Sequence, residues 1–210
     1  VLGGRWSKSF KTQIYDSRVA LTDRLVEAMR HRGEGVLLSS SAVGIYGDRG
    51  AEVLDEASSH GEDFLARVCA DWERAALKAC DAGIRVAVFR IGIVLGRGGG
   101  ALEKLVPLFR TGMGGPVGSG RQYVPWVHLD DVVEMFVAAL RDTSFEGVFN
   151  ATGPIPVTNG AFSSALGRAL GKPAFLPAPG WALRVILGES ASAPLGSQRA
   201  VPAQLEERGF

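Results

Sequence analysis

The sequence predicts an α/β fold built on a parallel sheet with crossover helices. Helical and strand-like patterns alternate over the first hundred residues, which is the rhythm of parallel strands joined by crossovers. The strongest strand pattern, residues 85–95, carries Val86, Val88, Phe89, Ile91, Ile93 and Val94 without clean alternation, as expected of a strand buried on both faces. With 210 residues, 46% hydrophobic and 21% charged, the chain is long enough for one large domain or one domain with a small appendage, and too apolar to be disordered.

Residues 8–31 read as one helix, with Phe10, Ile14, Leu21, Leu25 and Met29 at helical spacing and Gly33 and Gly35 ending it. Val36-Leu37-Leu38 reads as a short buried strand ending in a polar loop at Ser39-Ser40-Ser41, and the glycine-bearing stretch 44–61 reads as loop. A second helix covers 62–82, with Phe64, Val68, Trp72 and Ala76 on one face, and leads into the 85–95 strand. Residues 101–111 form a short helix bent or stopped near Pro107, followed by a glycine-rich loop over 112–121 and a strand over 123–127. Asp130 or Asp131 caps a helix that runs to Leu140. Residues 148–150 form a strand, and Thr158 caps a helix through Leu170. Pro173, Pro177 and Pro179 then break the chain into small pieces, with helices near 181–187 and 202–208.

Composition narrows the function classes. A formal net charge of +1 removes any compositional case for nucleic acid as a partner. The longest strictly apolar run is six residues, 135–140, too short to span a bilayer as a helix. Cys69 and Cys80 sit on one predicted helix about 16 Å apart at 1.5 Å rise per residue, beyond bridging distance, so the chain reads as a reduced, cytoplasmic protein. His31, His60 and His128 are not at metal-ligand spacing to one another or to a cysteine, so no metal site is expected.

Four stretches carry possible chemistry. Gly96-Arg97-Gly98-Gly99-Gly100-Ala101 fits a phosphate-binding G-x-G-x-x-A, but no strand end or ribose-binding acid follows about 20 residues on, and a flexible connection is the favoured reading. Ser39-Ser40-Ser41 with Tyr46-Gly47-Asp48 places hydroxyls where a strand ends, the position at which open α/β sheets bind ligands, although the same residues also make plain turns. Trp126-Val127-His128-Leu129-Asp130-Asp131-Val132 reads as a helix start, with His128 or Arg121 free to meet an anionic ligand. Arg90 interrupts an apolar strand and reads as a paired structural arginine rather than a catalyst.

Together these pieces resemble the extended short-chain dehydrogenase/reductase superfamily. Ser39-Ser40-Ser41-Ala42 with Tyr46-Gly47-Asp48 is similar to its fifth-strand segment, and Arg90-Ile91-Gly92-Ile93-Val94-Leu95-Gly96 to the sixth-strand segment under the nicotinamide. Trp126-Val127-His128-Leu129-Asp130-Asp131-Val132 is similar to a later V-H-x-D-D signature. One atypical branch, the NAD-dependent epimerase/dehydratase-like "epimerase family" oxidoreductases, sometimes described as cell-division-inhibitor homologues, is closer. Gly4-Arg5-Trp6 with Asp16-Ser17-Arg18-Val19, Asp63-Phe64-Leu65 with Asp71-Trp72-Glu73, Val94 through Ala101, and Gly118-Ser119-Gly120-Arg121-Gln122 resemble it. So does a tail with Ser197-Gln198-Arg199 and Val201-Pro202.

The resemblance implies the C-terminal part of a Rossmann-like sheet with a smaller mixed substrate sub-domain. It divides the chain into a partial NAD(P)-binding domain over 1–100, a substrate sub-domain over 101–170 and a small helical domain over 171–210. It also implies an N-terminal truncation of two or three βα units, roughly 70–90 residues at about 30 per βαβ unit. NADP or NAD is the implied cofactor, with Ser39, Ser40, Ile91, Gly92, Ile93 and Val94 on its nicotinamide side. Ser41 is expected to bind and polarise the reacting oxygen, Tyr46 to serve as acid/base, and Arg121, Trp126 and His128 to face a small polar substrate, nucleotide sugars among the candidates. The superfamily's Tyr-x-x-x-Lys pair is absent; by position it falls near Leu65 and Cys69. That departure sustains an alternative, a non-catalytic NAD(P)-binding or sensing protein. Oligomeric state stays open.

Overall fold

The computed structural model describes residues 5–210, so Gly4 of the quoted resemblance lies outside the described residues. In chain order the elements are α1 (Lys8–Asp16), α2 (Val19–Arg30), β1 (Val36–Ala42), β2 (Val53–Leu54), α3 (Phe64–Leu77), β3 (Arg85–Ile91), β4 (Ile93–Leu95), α4 (Gly100–Arg110), β5 (Tyr123–Val124) and β6 (Trp126–His128). They continue with α5 (Leu129–Arg141), β7 (Gly147–Ala151), β8 (Val157–Thr158), α6 (Asn159–Ala169), α7 (Gly180–Leu187), α8 (Ser192–Leu195), β9 (Arg199–Ala200) and α9 (Ala203–Glu207).

The central sheet is parallel, ordered β1–β3–β7, with β3 buried on both faces. That double burial explains why its sequence does not alternate. Leu37, Val86 and Val88 pack on one face with Val26 of α2 and Ala76 of α3. Ala87, Phe89, Phe149 and Ala151 pack on the other with Met135 and Ala139 of α5 and Leu205 of α9. Phe89 and Phe149 stack there with ring centroids 5.6 Å apart. The expected α/β architecture of parallel strands under crossover helices is therefore present.

Several local expectations are corrected. The 8–31 helix is two helices broken at Ser17-Arg18, where the Ser17 hydroxyl and the Arg18 guanidinium both donate to the Ile14 carbonyl. Side chains that bond the backbone in this way compete with the helical ladder. After the break, α2 buries Val19, Thr22 and Val26, leaving Leu21 and Leu25 exposed. The β1 strand does not stop at the serines but runs through them to Ala42. Helix α4 continues through Pro107 to Arg110. The 123–127 strand is two short strands separated at Pro125. The cap of α5 is His128, whose Nδ1 accepts from the Asp130 N–H at 3.2 Å; Asp130 and Asp131 occupy the first turn instead. Thr158 does cap α6, its hydroxyl accepting from the Ala161 N–H.

Gly92 divides the predicted 85–95 strand. Before it, β3 pairs with β1 and β7; after it, β4 pairs with β6. The switch draws the Pro125 carbonyl against the glycine, where a Cβ would stand 2.2 Å from the Pro125 oxygen. No side chain fits there. Gly92→Ala is expected to destabilise the protein at the upper end of the roughly 1–3 kcal/mol typical of overpacking. A lower urea midpoint at unchanged slope would establish this.

Candidate functional site

Ser41, Arg90 and Asn150 are register partners, one residue before the ends of β1, β3 and β7. Side chains of parallel strand neighbours share a face, so this row points together toward α3. Glu73 of α3 meets it. Its Oε1 accepts from the Ser41 hydroxyl at 2.6 Å and from Arg90 Nε at 2.9 Å, and its Oε2 accepts from Arg90 Nη2 at 2.9 Å. Arg90 and Glu73 are 3% and 5% exposed, so this is a buried ion pair and Arg90 is the paired arginine its sequence context implies. Burial works against the charge on Arg90, but Glu73 and Tyr46 outweigh it and hold the guanidinium pKa above its ordinary value.

Tyr46 closes the far side of the pair. Its hydroxyl accepts from Arg90 Nη1 at 3.0 Å and lies within donating distance of Asn150 Oδ1 (2.7 Å) and the Asp55 carbonyl (2.9 Å). The side chain is fully buried, and burial raises its pKa despite the opposing effect of Arg90.

A cavity of about 870 Å³ lies over the carboxyl ends of β1 and β3. Ser41, Ile91, Gly92 and Ile93 line it, as do Ile14, Arg18, Leu65, Val68, Cys69 and Trp72 from the helical side. The Arg18 guanidinium stands over the Trp72 ring at 5.6 Å. Leu65 and Cys69, where the resemblance would place Tyr and Lys, both face the cavity. Burial and the charge of Glu73 push the Cys69 thiol up to about 12, so it stays protonated at neutral pH.

The remaining sequence-predicted residues are dispersed. Ser39 is buried, with its hydroxyl donating to the Ser40 carbonyl, and neither serine lines the cavity. Val94 and Tyr46 do not line it either. Arg121 lines a second cavity of about 570 Å³. Trp126 and His128 line neither cavity; His128 is exposed at the start of α5.

Sequence reasoning missed the far wall. Arg184, Glu189, Ser192, Leu195 and Gln198 close the cavity from the C-terminal segment. The tail motif Ser197-Gln198-Arg199 holds that wall in place. Gln198 Nε2 donates to the Gly47 carbonyl at 2.8 Å, the Ser197 N–H donates to Asp48 Oδ1 at 3.2 Å, and Arg199 pairs in β9 with Val53 of β2.

The model of the NAD dependent epimerase/dehydratase family matches residues 1–151. The chain belongs to that family. A domain of unknown function (DUF1731) matches residues 178–210. An Arabidopsis thaliana protein named epimerase family protein SDR39U1 homolog, chloroplastic, is 43% identical over 98% of this chain and 60% of its own length. The Mycobacterium bovis epimerase family protein Mb2239 is 44% identical over 98% of the chain and 69% of its own length. The chain thus spans between three-fifths and seven-tenths of these relatives. Among solved structures, human epimerase family protein SDR39U1 with NADPH superposes with a TM-score of 0.91 at 32% identity, over 98% of this chain and 71% of that one. A nucleoside-diphosphate sugar epimerase from Corynebacterium glutamicum gives 0.80 at 37% identity, over 100% and 41%. These matches agree with the Rossmann-like fold. No described helix is long and apolar enough to cross a membrane.

Two expectations test the site. Glu73→Gln keeps the shape but leaves the buried Arg90 charge unbalanced, and is expected to cost about 3–5 kcal/mol in chemical denaturation. The double change Glu73→Leu with Arg90→Met is expected to lose less than either single change. His60 Nε2 accepts from Arg90 Nη2 at 3.1 Å, and burial with the Arg90 charge lowers its pKa. The unfolded chain therefore binds the proton more readily. Stability is intact above the ordinary value near pH 6.5 and declines as pH falls below it. Melting temperatures from pH 8 to 5 should show a small decline that His60→Gln removes.

Proposed function

We propose that this chain forms the nicotinamide-side and substrate-side part of an NAD(P)-dependent oxidoreductase or epimerase-like enzyme, with a small substrate reacting beside Ser41. The observation that carries this reading is the place of the main cavity, over the carboxyl ends of parallel strands, where such sheets bind their ligands. Likeness to the human protein solved with NADPH supports NADP(H) as the cofactor, with NAD(H) as the other candidate. When bound, the dinucleotide supplies a hydride donor or acceptor.

The residues present fit the ring half of that group. Ile91, Gly92 and Ile93 offer a largely apolar floor, and Gly92 adds no side chain above it. The 96–100 glycine turn lines neither cavity among the described residues, so it does not cradle the phosphate half. Ser41 has one hydroxyl proton, held by Glu73 at 2.6 Å, so it meets a ligand as a hydrogen-bond acceptor. That favours a substrate hydroxyl donating to Ser41 over a carbonyl polarised by it. Tyr46, saturated and away from the cavity, acts on this reading as a positioning residue for Arg90. Nucleotide sugars are one substrate class with the required hydroxyls, and the Corynebacterium relative's name supports that class. The free Cys69 and Cys80 fit a reducing compartment such as the cytoplasm.

A second reading has its own observation. Leu65 and Cys69 face the cavity where the superfamily's proton-transfer pair would stand, and no Tyr, His or Lys lines it among the described residues. On that reading the protein binds the dinucleotide without turning a substrate over.

The test uses this chain and a chimera in which the N-terminal segment of the 44%-identical mycobacterial relative precedes it. NADPH titrated by fluorescence is expected to bind the chimera at least tenfold more tightly, because the added segment supplies the phosphate grip. Consumption of NADPH over a panel of carbonyl compounds, or reduction of NADP+ over the corresponding alcohols, supports the enzyme. Tight binding without turnover across the panel supports the sensor, and no binding by either protein overturns both.

A further inference from the structure

The second cavity borders the main one, and the two share Asp48, Arg184 and Leu195 in their walls. Their chemistry differs. The main cavity is walled largely by apolar side chains, Ile14, Leu65, Val68, Trp72, Ile91 and Ile93 among them. The second is more polar than the main one and takes two arginines from separate segments: Arg121 from the loop before β5 and Arg184 from α7. Its one carboxylate, Asp48, already accepts from the Ser197 and Gly50 N–H groups through Oδ1.

The two guanidiniums are not spent on structure. Arg18, Arg49 and Arg90 all have hydrogen-bond partners, whereas neither Arg121 nor Arg184 has a side-chain hydrogen bond or ion pair among the described residues. A guanidinium fork matches the two oxygens of a carboxylate or phosphate, and two forks on one cavity concentrate that preference. The Trp181 ring, 72% exposed on the same wall, offers an apolar flank beside them.

We infer that the two cavities together take one amphiphilic acid. Its oxyanion headgroup, carboxylate or phosphate, sits between Arg121 and Arg184, and its apolar body extends past Leu195 into the main cavity toward Ser41. This puts an amphiphilic acid in place of a nucleotide sugar as the substrate class of the proposed function, and rests on that function only in naming the Ser41 end as the reacting end.

The experiment is calorimetry on this chain without dinucleotide, using alkyl phosphates and alkyl carboxylates of four to eight carbons, with octanol and UDP as comparators. At least one acid series is expected to bind, with affinity rising about fourfold per added methylene. The series that binds more tightly identifies the headgroup. Arg121→Gln with Arg184→Gln is expected to weaken octyl phosphate or octanoate at least tenfold while leaving the urea midpoint unchanged. Leu65→Trp is expected to abolish the chain-length gain while a four-carbon acid still binds. The inference is overturned if octanol binds as tightly as both acids, if the double variant binds them unchanged, or if UDP binds more tightly than every alkyl acid with no chain-length dependence. Because no dinucleotide is present, these results stand or fall separately from NADPH binding.

Discussion

The buried guanidinium of Arg90 is the constraint to which the rest of the molecule conforms. Removing a charge from water costs several kcal/mol even after relaxation, and a single counter-ion seldom offsets that. Here every N–H of the guanidinium has a partner. Nε and one Nη2 proton go to Glu73, the second Nη2 proton to His60, and the two Nη1 protons to the Tyr46 hydroxyl and the Glu56 carbonyl. Five donors require partners from α3, the loop after β1 and the turn before α3, so those segments have little freedom to be elsewhere.

The consequences spread along the sheet. Asn150, in register with Arg90, donates through Nδ2 to the Val201 carbonyl, and its N–H donates to Glu56 Oε1. Glu56 also receives the Gln204 N–H at the start of α9. One polar row thus links three strand ends, the long loop and the C-terminal segment. On the other side, Glu73 takes the Ser41 hydroxyl proton, at 2.6 Å. The same ion pair that stabilises the fold sets the hydrogen-bonding sense of the site.

What was legible in the sequence depended on local period. The alternation of helices and strands, the doubly buried pattern of β3 and the Thr158 cap follow from spacing and turn chemistry, whereas Ser41 and Ile91 to Ile93 are singled out as site residues only through the family resemblance. What was not legible depended on partners distant in sequence. Leu21 and Leu25 fit a helical face as well as Val19 and Val26 do, and only the break at Ser17-Arg18 decides which face packs. Three serines look like a loop until Glu73, 32 residues on from Ser41, gives one of them a buried partner. Trp126 and His128 lie in a motif that the resemblance ties to the substrate, yet β6 and the α5 cap hold them away from both cavities.

The C-terminal wall has a consequence in time. Its attachments to the loop after β1 join residues 147 to 151 positions apart. Contacts of such separation form late, because a long loop must close before they contribute anything. During synthesis at roughly 5–20 residues per second, β7 completes the three-stranded sheet several seconds before residue 198 emerges. A nascent chain whose sheet has already folded therefore carries an open groove above it until the segment that includes Arg184, Leu195 and Gln198 is made and docks as its wall.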